Sequence, residues 1–142
     1  MSSPVMNAAD AIAMVNGYLE RFGKAVQMPI DPLDEGGYTD VRHGSLVIGI
    51  NAVVEHGVLL ILARMGRVPE INKQRLYRKL LELNFLATGA CSFAIDDERE
   101  AVYLRALRPL AGMDYTEFAD LMENAAAVAT RLRGRLPELH ED

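Results

Sequence analysis

Hydrophobic residues recur at helical spacing in three segments of the chain. In the first, Asn7 stands in the N-cap position and Gly23 follows the last apolar residue of the pattern. The second covers residues 72–86, and in the third Asp114 is the N-cap and Glu117 completes a capping box. The apolar positions are Ala11, Ile12, Val15, Tyr18, Leu19 and Phe22 in the first, Leu76, Leu80 and Leu81 in the second, and Phe118, Leu121, Met122, Ala125, Ala129, Leu132 and Leu136 in the third. This spacing predicts three amphipathic helices.

Between the first two helices the hydrophobic pattern changes to alternation, which is typical of strands. Leu46, Ile48 and Ile50 alternate with their neighbours, and a second apolar run at residues 58–63 follows closely. The turn signal at residues 55–57 is too short for a crossover connection, so the two runs predict an antiparallel hairpin. Residues 38–42 favour a further strand beside it.

A second pair of alternating runs precedes the last helix. Residues 91–95 and 101–107 are separated by the acidic turn at residues 96–100, which predicts a second hairpin. Hairpins with helices before, between and after them indicate an α+β fold. We expect an antiparallel β-sheet packed with helices on one face, in the order α-β-β(β)-α-β-β-α.

Length and composition fit one domain. The chain has 142 residues, half of them hydrophobic and a quarter charged, which is enough to bury one core. We therefore expect a single domain over residues 1–142.

Charge and cysteine content narrow the partners and the compartment. The formal net charge of −5 argues against nucleic acid as a partner, because phosphate contacts need a positive face. The longest apolar stretch, residues 46–65, contains Asn51, Glu55 and Arg64, which a membrane-spanning helix would not tolerate at its centre. The first residues lack a secretory signal pattern. A single cysteine fits a reducing compartment, so we expect a cytoplasmic protein with no membrane partner.

No arrangement of reactive residues indicates catalysis. The histidines are His43, His56 and His140, and none has another at the His-x-His or His-x-x-x-His spacing of a metal site. Cys91 alternates in register with Phe93, which favours a buried core residue over a reactive thiolate. The acidic clusters lie in turns, and no phosphate-binding, dinucleotide-binding, hydrolase or zinc-protease motif occurs. We expect no enzyme activity, no catalytic residues, no cofactor and no metal.

Several strings occur in an order that is characteristic of one family. They are LARMGRVP at residues 62–69, LLELN at 80–84, TGACSFAID at 88–96, AVYL at 101–104 and DYTEF at 114–118. With these strings the chain resembles the Tir chaperone (CesT) family, small chaperones that hold type III secretion effectors before export.

The resemblance implies a homodimer of α/β protomers that binds a non-globular segment of a secreted effector without ATP. Bacterial sensory-transduction regulators of the YbjN type are similar in topology. A regulatory or sensory domain that binds another protein is therefore the alternative.

Two surfaces are candidates for protein contacts. Both registers of the predicted strands carry apolar side chains, so one register can exceed what the core needs and bind a partner, although a helix or a second copy would cover it equally well. The candidate partner-binding residues are Met14, Leu46, Ile48, Ile50, Val58, Leu60 and Leu62. The second helix has apolar side chains on more than one stripe, and its candidate dimer-interface residues are Leu76, Tyr77, Leu80 and Leu83.

Overall fold

The helices and strands follow one another in the predicted order. A computed structural model describes residues 6–86, 89–137 and 139. Its helices are α1 (Ala8–Ala25), α2 (Lys73–Leu86) and α3 (Tyr115–Arg133). Its strands are β1 (Tyr38–His43), β2 (Leu46–Val53), β3 (Val58–Arg67), β4 (Ser92–Asp96) and β5 (Ala101–Pro109). This arrangement confirms the α+β prediction, and the further strand expected at residues 38–42 is β1.

The five strands form one antiparallel sheet in the order β1-β2-β3-β5-β4. A single 3-10 turn, Val54–His56, followed by Gly57 closes the β2–β3 hairpin. Because β3 pairs with β5, the edges of the sheet are β1 and β4. Helix α2 connects β3 to β4 and packs against β4.

Local side-chain hydrogen bonds begin α1 and α3 where the sequence indicates. The Asn7 side chain accepts a hydrogen bond from the Asp10 amide at 2.8 Å, and the Asp114 side chain accepts one from the Glu117 amide at 2.8 Å. Gly23 does not end α1, which continues to Ala25. A Cβ atom at position 23 would lie 2.7 Å from the Met28 carbonyl oxygen, so this glycine permits a close backbone approach instead.

The sheet has a helix-covered face and an open face. Leu46, Ile48 and Ile50 are at most 3% exposed and lie on the face against which α1 and α3 pack. The pairing of Ile48 with Ala63 and of Ile50 with Ile61 extends this face into β3. The alternate residues of β3, such as Leu60, project from the opposite, open face and are half-buried.

Aromatic packing joins α1 to α3. The ring of Phe118 is fully buried, 5.6 Å from the Tyr18 ring and 6.2 Å from the Phe22 ring, which meets it edge-on. The Tyr18 hydroxyl donates a 2.8 Å hydrogen bond to the Met113 carbonyl at the start of α3. These contacts set the distance between the two helices on the covered face.

Glycines at both ends of β1 offer a test of how tightly this strand is held. Gly37 and Gly44 both have a positive φ, but only a Cβ atom at Gly37 would meet backbone, the Ala52 carbonyl oxygen at 2.7 Å. We expect Gly44→Ala to lower the free energy of unfolding by about 1 kcal/mol, the usual cost of the left-handed conformation. Gly37→Ala should cost at least about 1 kcal/mol more, because the β1–β2 pair must also separate. Urea denaturation measures both, and equal losses would contradict this account.

Candidate functional site

An apolar groove of about 670 Å³ opens between the end of α1, strand β1 and the middle of α3. Its apolar lining residues are Phe22, Val26, Met28, Val41, Ile48, Met122, Ala126 and Ala127. Ile48 and Met122 are buried at its base, whereas Val26 is 42% exposed and Ala127 is exposed at its mouth. The groove therefore presents apolar surface that solvent and a partner can reach.

Polar side chains from two elements also line the groove. They are His43 of β1 and Glu123, Thr130 and Arg131 of α3. An apolar centre with a polar rim is the usual anatomy of a protein-binding surface.

Strand β1 is the sheet edge beside this groove. In an antiparallel pair, residues alternate between those whose amide and carbonyl bond the neighbouring strand and those whose groups point away. The Ala52 amide donates to the Gly37 carbonyl at 2.8 Å, so this alternation turns the backbone groups of Tyr38, Asp40 and Arg42 away from β2.

The loop before β1 covers the first of these outward positions. The Tyr38 amide donates to the Asp34 side chain at 2.9 Å, and the Tyr38 carbonyl accepts from the Asp34 amide at 2.8 Å. The Thr39 hydroxyl also donates to the Asp31 carbonyl at 3.0 Å. The edge available to another chain is therefore short and centred on Asp40 and Arg42.

A larger concavity, about 800 Å³, lies at the other end of α1. Several of its lining residues are small, among them Ala8, Ala9, Ala13 and Gly36. Methyl groups and backbone give little apolar area for a side chain to pack on. The groove beside β1 is the better candidate because its walls carry large apolar side chains.

The residues predicted to bind a partner separate into two sets. Leu46, Ile48 and Ile50 lie on the helix-covered face, where Ile48 reaches the base of the groove. Val58, Leu60 and Leu62 lie half-buried on the open face, and Met14 on α1 packs partly buried against the core. Their role in partner binding stays a prediction, but the two strand registers face opposite sides of the sheet.

The predicted dimer residues of α2 also differ in accessibility. Leu76 and Leu80 are buried within the protomer, at 0% and 4% exposure, and Tyr77 and Leu83 are partly buried against the core. Two apolar side chains of α2 are strongly exposed among those the structure describes, Leu81 at 69% and Phe85 at 87%. Leu81, expected on the same stripe as Leu76, therefore faces solvent.

Among the described residues, the histidines and the cysteine lie in separate parts of the fold. His43 is the last residue of β1, His56 lies in the 3-10 turn, and His140 is outside the described residues. Cys91 is buried, and its thiol donates to the Asn124 side-chain oxygen at 3.5 Å. Burial raises the pKa of the Cys91 thiol and the nearby Arg108 only partly offsets this, so the thiolate is disfavoured.

Over the described part of the chain, no three His, Cys, Asp or Glu residues are arranged to hold a metal ion. None of the helices formed by residues 6–86, 89–137 and 139 is long and apolar enough to cross a membrane.

Solved structures share the fold over most of the chain. One chain of the ExsC–ExsE complex is 21% identical, with a TM-score of 0.75 over 93% of this chain and 98% of that chain. One chain of the HopA1–SchA chaperone–effector complex is 13% identical, with a TM-score of 0.68 over 87% and 96%. The complex of the Yersinia pestis type III secretion chaperone SycH with a fragment of YscM2 gives 19% identity and a TM-score of 0.60, over 82% and 98%.

At the level of sequence, no curated protein matches the chain significantly. The family model of the Tir chaperone protein (CesT) family matches residues 17–133, from the middle of α1 to the end of α3. The match confirms the resemblance described above and spans every strand, the second half of α1 and all of α2 and α3. The chain belongs to the Tir chaperone protein (CesT) family.

Proposed function

We propose that this protein is a type III secretion chaperone that holds a non-globular segment of a secreted effector in the bacterial cytoplasm. Family membership and the fold shared with chaperone–effector complexes support the general activity. The observation that carries the proposal for this chain is the apolar groove directly beside an open strand edge.

This pairing of groove and edge suits an extended peptide. A segment lying along β1 would form main-chain hydrogen bonds with Asp40 and Arg42, and its alternate side chains would enter the groove beside Val41. Main-chain bonds supply affinity for many sequences, whereas the groove selects apolar side chains. Such binding needs neither catalysis nor ATP, in keeping with a sequence that carries no phosphate-binding motif.

We also propose that the protein is a homodimer joined through α2. Leu81 and Phe85 are one helical turn apart, and Tyr77 lies a turn earlier on the same side of the helix. Two large apolar side chains exposed to this extent on one helix are costly in water and are typical of an interface.

The partner can be identified by co-purification from the native bacterium followed by mass spectrometry. We expect a secreted protein of which one segment is protected by the chaperone against limited proteolysis. Recovery of folded regulators only, with no protected segment, would support the sensory alternative and reject the proposal.

Substitution in the groove tests where this segment binds. Val26→Asp places a carboxylate at the exposed mouth of the groove, and we expect the affinity for the protected segment to fall more than tenfold, because the charge must be desolvated on binding. Ala13→Asp, an equal change on exposed α1 surface in the other concavity, should leave the affinity unchanged. Isothermal titration calorimetry measures both, and the reverse result would move the site to that concavity.

The strand edge can be tested separately by removing one amide. Asp40→Pro deletes an N–H that points away from β2, so the sheet keeps its own hydrogen bonds while an added strand loses one. We expect the segment to bind about tenfold more weakly, with little change in the urea midpoint. An unchanged affinity would show that the segment does not pair with β1.

The dimer is tested by Phe85→Asp, which places a charge on the exposed stripe of α2. We expect light scattering at micromolar concentration to show a dimer for the unchanged protein and a monomer for this variant. Arg75→Asp is the control, because it adds negative charge to an exposed α2 position on a different side of the helix. A monomeric unchanged protein would refute the dimer.

A further inference from the structure

The open face of the sheet carries an apolar patch on the side away from α1 and α3. We define the patch by Val58, Leu60, Leu62 and Leu107. Leu60 lies directly opposite Leu107 in the pairing of β3 with β5, and Leu107 is 41% exposed. None of these side chains is fully buried. The patch therefore remains accessible in the folded protomer.

Tyr38 lies flat beside the patch because position 49 is glycine. A Cβ atom there would be 3.0 Å from both Cε2 and the hydroxyl oxygen of Tyr38, so any other residue would push the ring away. The ring is 40% exposed. The Tyr38 hydroxyl donates a hydrogen bond to the Asp40 carboxylate, and the Tyr38 pKa is raised by burial and then by this carboxylate.

Two exposed arginines flank this patch although the chain as a whole carries −5. Arg105 lies directly opposite Leu62 on β3, and Arg42 lies on β1 opposite Val47, both exposed. No carboxylate of the described residues forms a salt bridge with Arg42 or Arg105.

The acidic side chains on the same face offset this charge only in part. Asp96 is already paired with Arg99 at 3.1 Å in the turn after β4, which leaves the single charge of Asp40, beside Tyr38, against the two arginines. Tyrosine and arginine are enriched at protein-binding surfaces, and here they lie beside exposed apolar leucines.

The dimensions of the patch favour a short segment over a second copy of this chain. The part of the open face that contains the patch and its flanking Tyr38 and arginines is about 14 Å wide from β1 to β5 and about 20 Å long from Val58 to Arg64, roughly 300 Å². A stable interface between folded chains buries about 800 Å² on each side. One amphipathic helix, about 10 Å across, or two strands would cover the patch.

We infer that the open face is a second docking surface, which binds an apolar segment of a partner protein bearing acidic side chains that pair with Arg42 and Arg105. The inference rests on the proposed function for the kind of partner, a protein segment without a fold of its own. The inference adds to that function the acidic character of the segment and a second binding site, on the opposite face of the sheet from the groove.

Two fluorescein-labelled peptides test the charge preference. Both have 14 residues with leucines at the same helical positions, and the remaining positions are glutamate in one and lysine in the other. Fluorescence anisotropy should show at least tenfold tighter binding of the glutamate peptide, weakening as salt is raised. Equal binding of the two peptides, or tighter binding of the lysine peptide, would overturn the inference.

Protein variants assign the binding to this face. Arg42→Gln with Arg105→Gln should weaken the glutamate peptide at least tenfold, whereas Lys24→Gln with Arg135→Gln, an equal loss of exposed charge elsewhere, should not. Equal effects of the two pairs would overturn the inference.

Two further variants separate this site from the other proposals. Val26→Asp should leave binding of the glutamate peptide intact. An error in the groove proposal and an error in the open-face proposal would therefore give different results. Leu107→Asp should abolish peptide binding without changing the oligomeric state. Conversion of a dimer to a monomer by Leu107→Asp would show that a second copy covers the patch and would reject the inference.

Discussion

The packing of α1 against α3 through Phe118 is the contact on which the binding groove depends. Tyr18 and Phe22 approach the same buried ring, and this fixes the last turns of α1 over the edge of the sheet. Val26 and Met28 then form one wall of the groove, and Met122, one turn after Phe118, forms part of another. A groove lined by side chains from α1, β1, β2 and α3 keeps its shape only if those elements are held rigidly.

Strand β1 is the meeting point of the two surfaces described above. Its Val41 side faces the groove on the helix-covered side, whereas Tyr38 and Arg42 face the open side. A segment that pairs with the strand edge would alternate its side chains between the apolar groove and the charged open face. The two proposals together give β1 a sequence-tolerant main-chain contact with a different side-chain preference on each side of the strand.

The features that depend on residues close together in the sequence were predictable. The caps at Asn7 and Asp114, the hairpin turns and the order of elements all follow from short-range patterns, and the structure agrees with each. The sequence did not show which register of the sheet faces the helices and which is open, because β2 and β3 carry apolar residues in both registers. Which register faces the helices depends on the docking of α3, a contact far away in sequence.

The contacts of helix α2 and of the β1 edge also depend on residues distant in sequence and could not be predicted. Leu81 shares a stripe with Leu76 in the sequence pattern, but α2 packs beside β4, so only a narrow side of the helix is covered. The hydrogen bond that the Tyr38 amide donates to the Asp34 side chain could not be predicted either, because it depends on how the loop returns to the sheet.

The loop held by Asp34 also bears on how the protein behaves at high concentration. Unprotected sheet edges let identical chains add to one another without limit, the route to fibrils and precipitates. Here the Asp34 loop closes the start of β1, and α2 packs against β4 at the opposite edge. An exposed edge of two outward-facing residues can pair with a short added strand but is too short to template a growing stack. The same edge can therefore bind a segment without promoting aggregation.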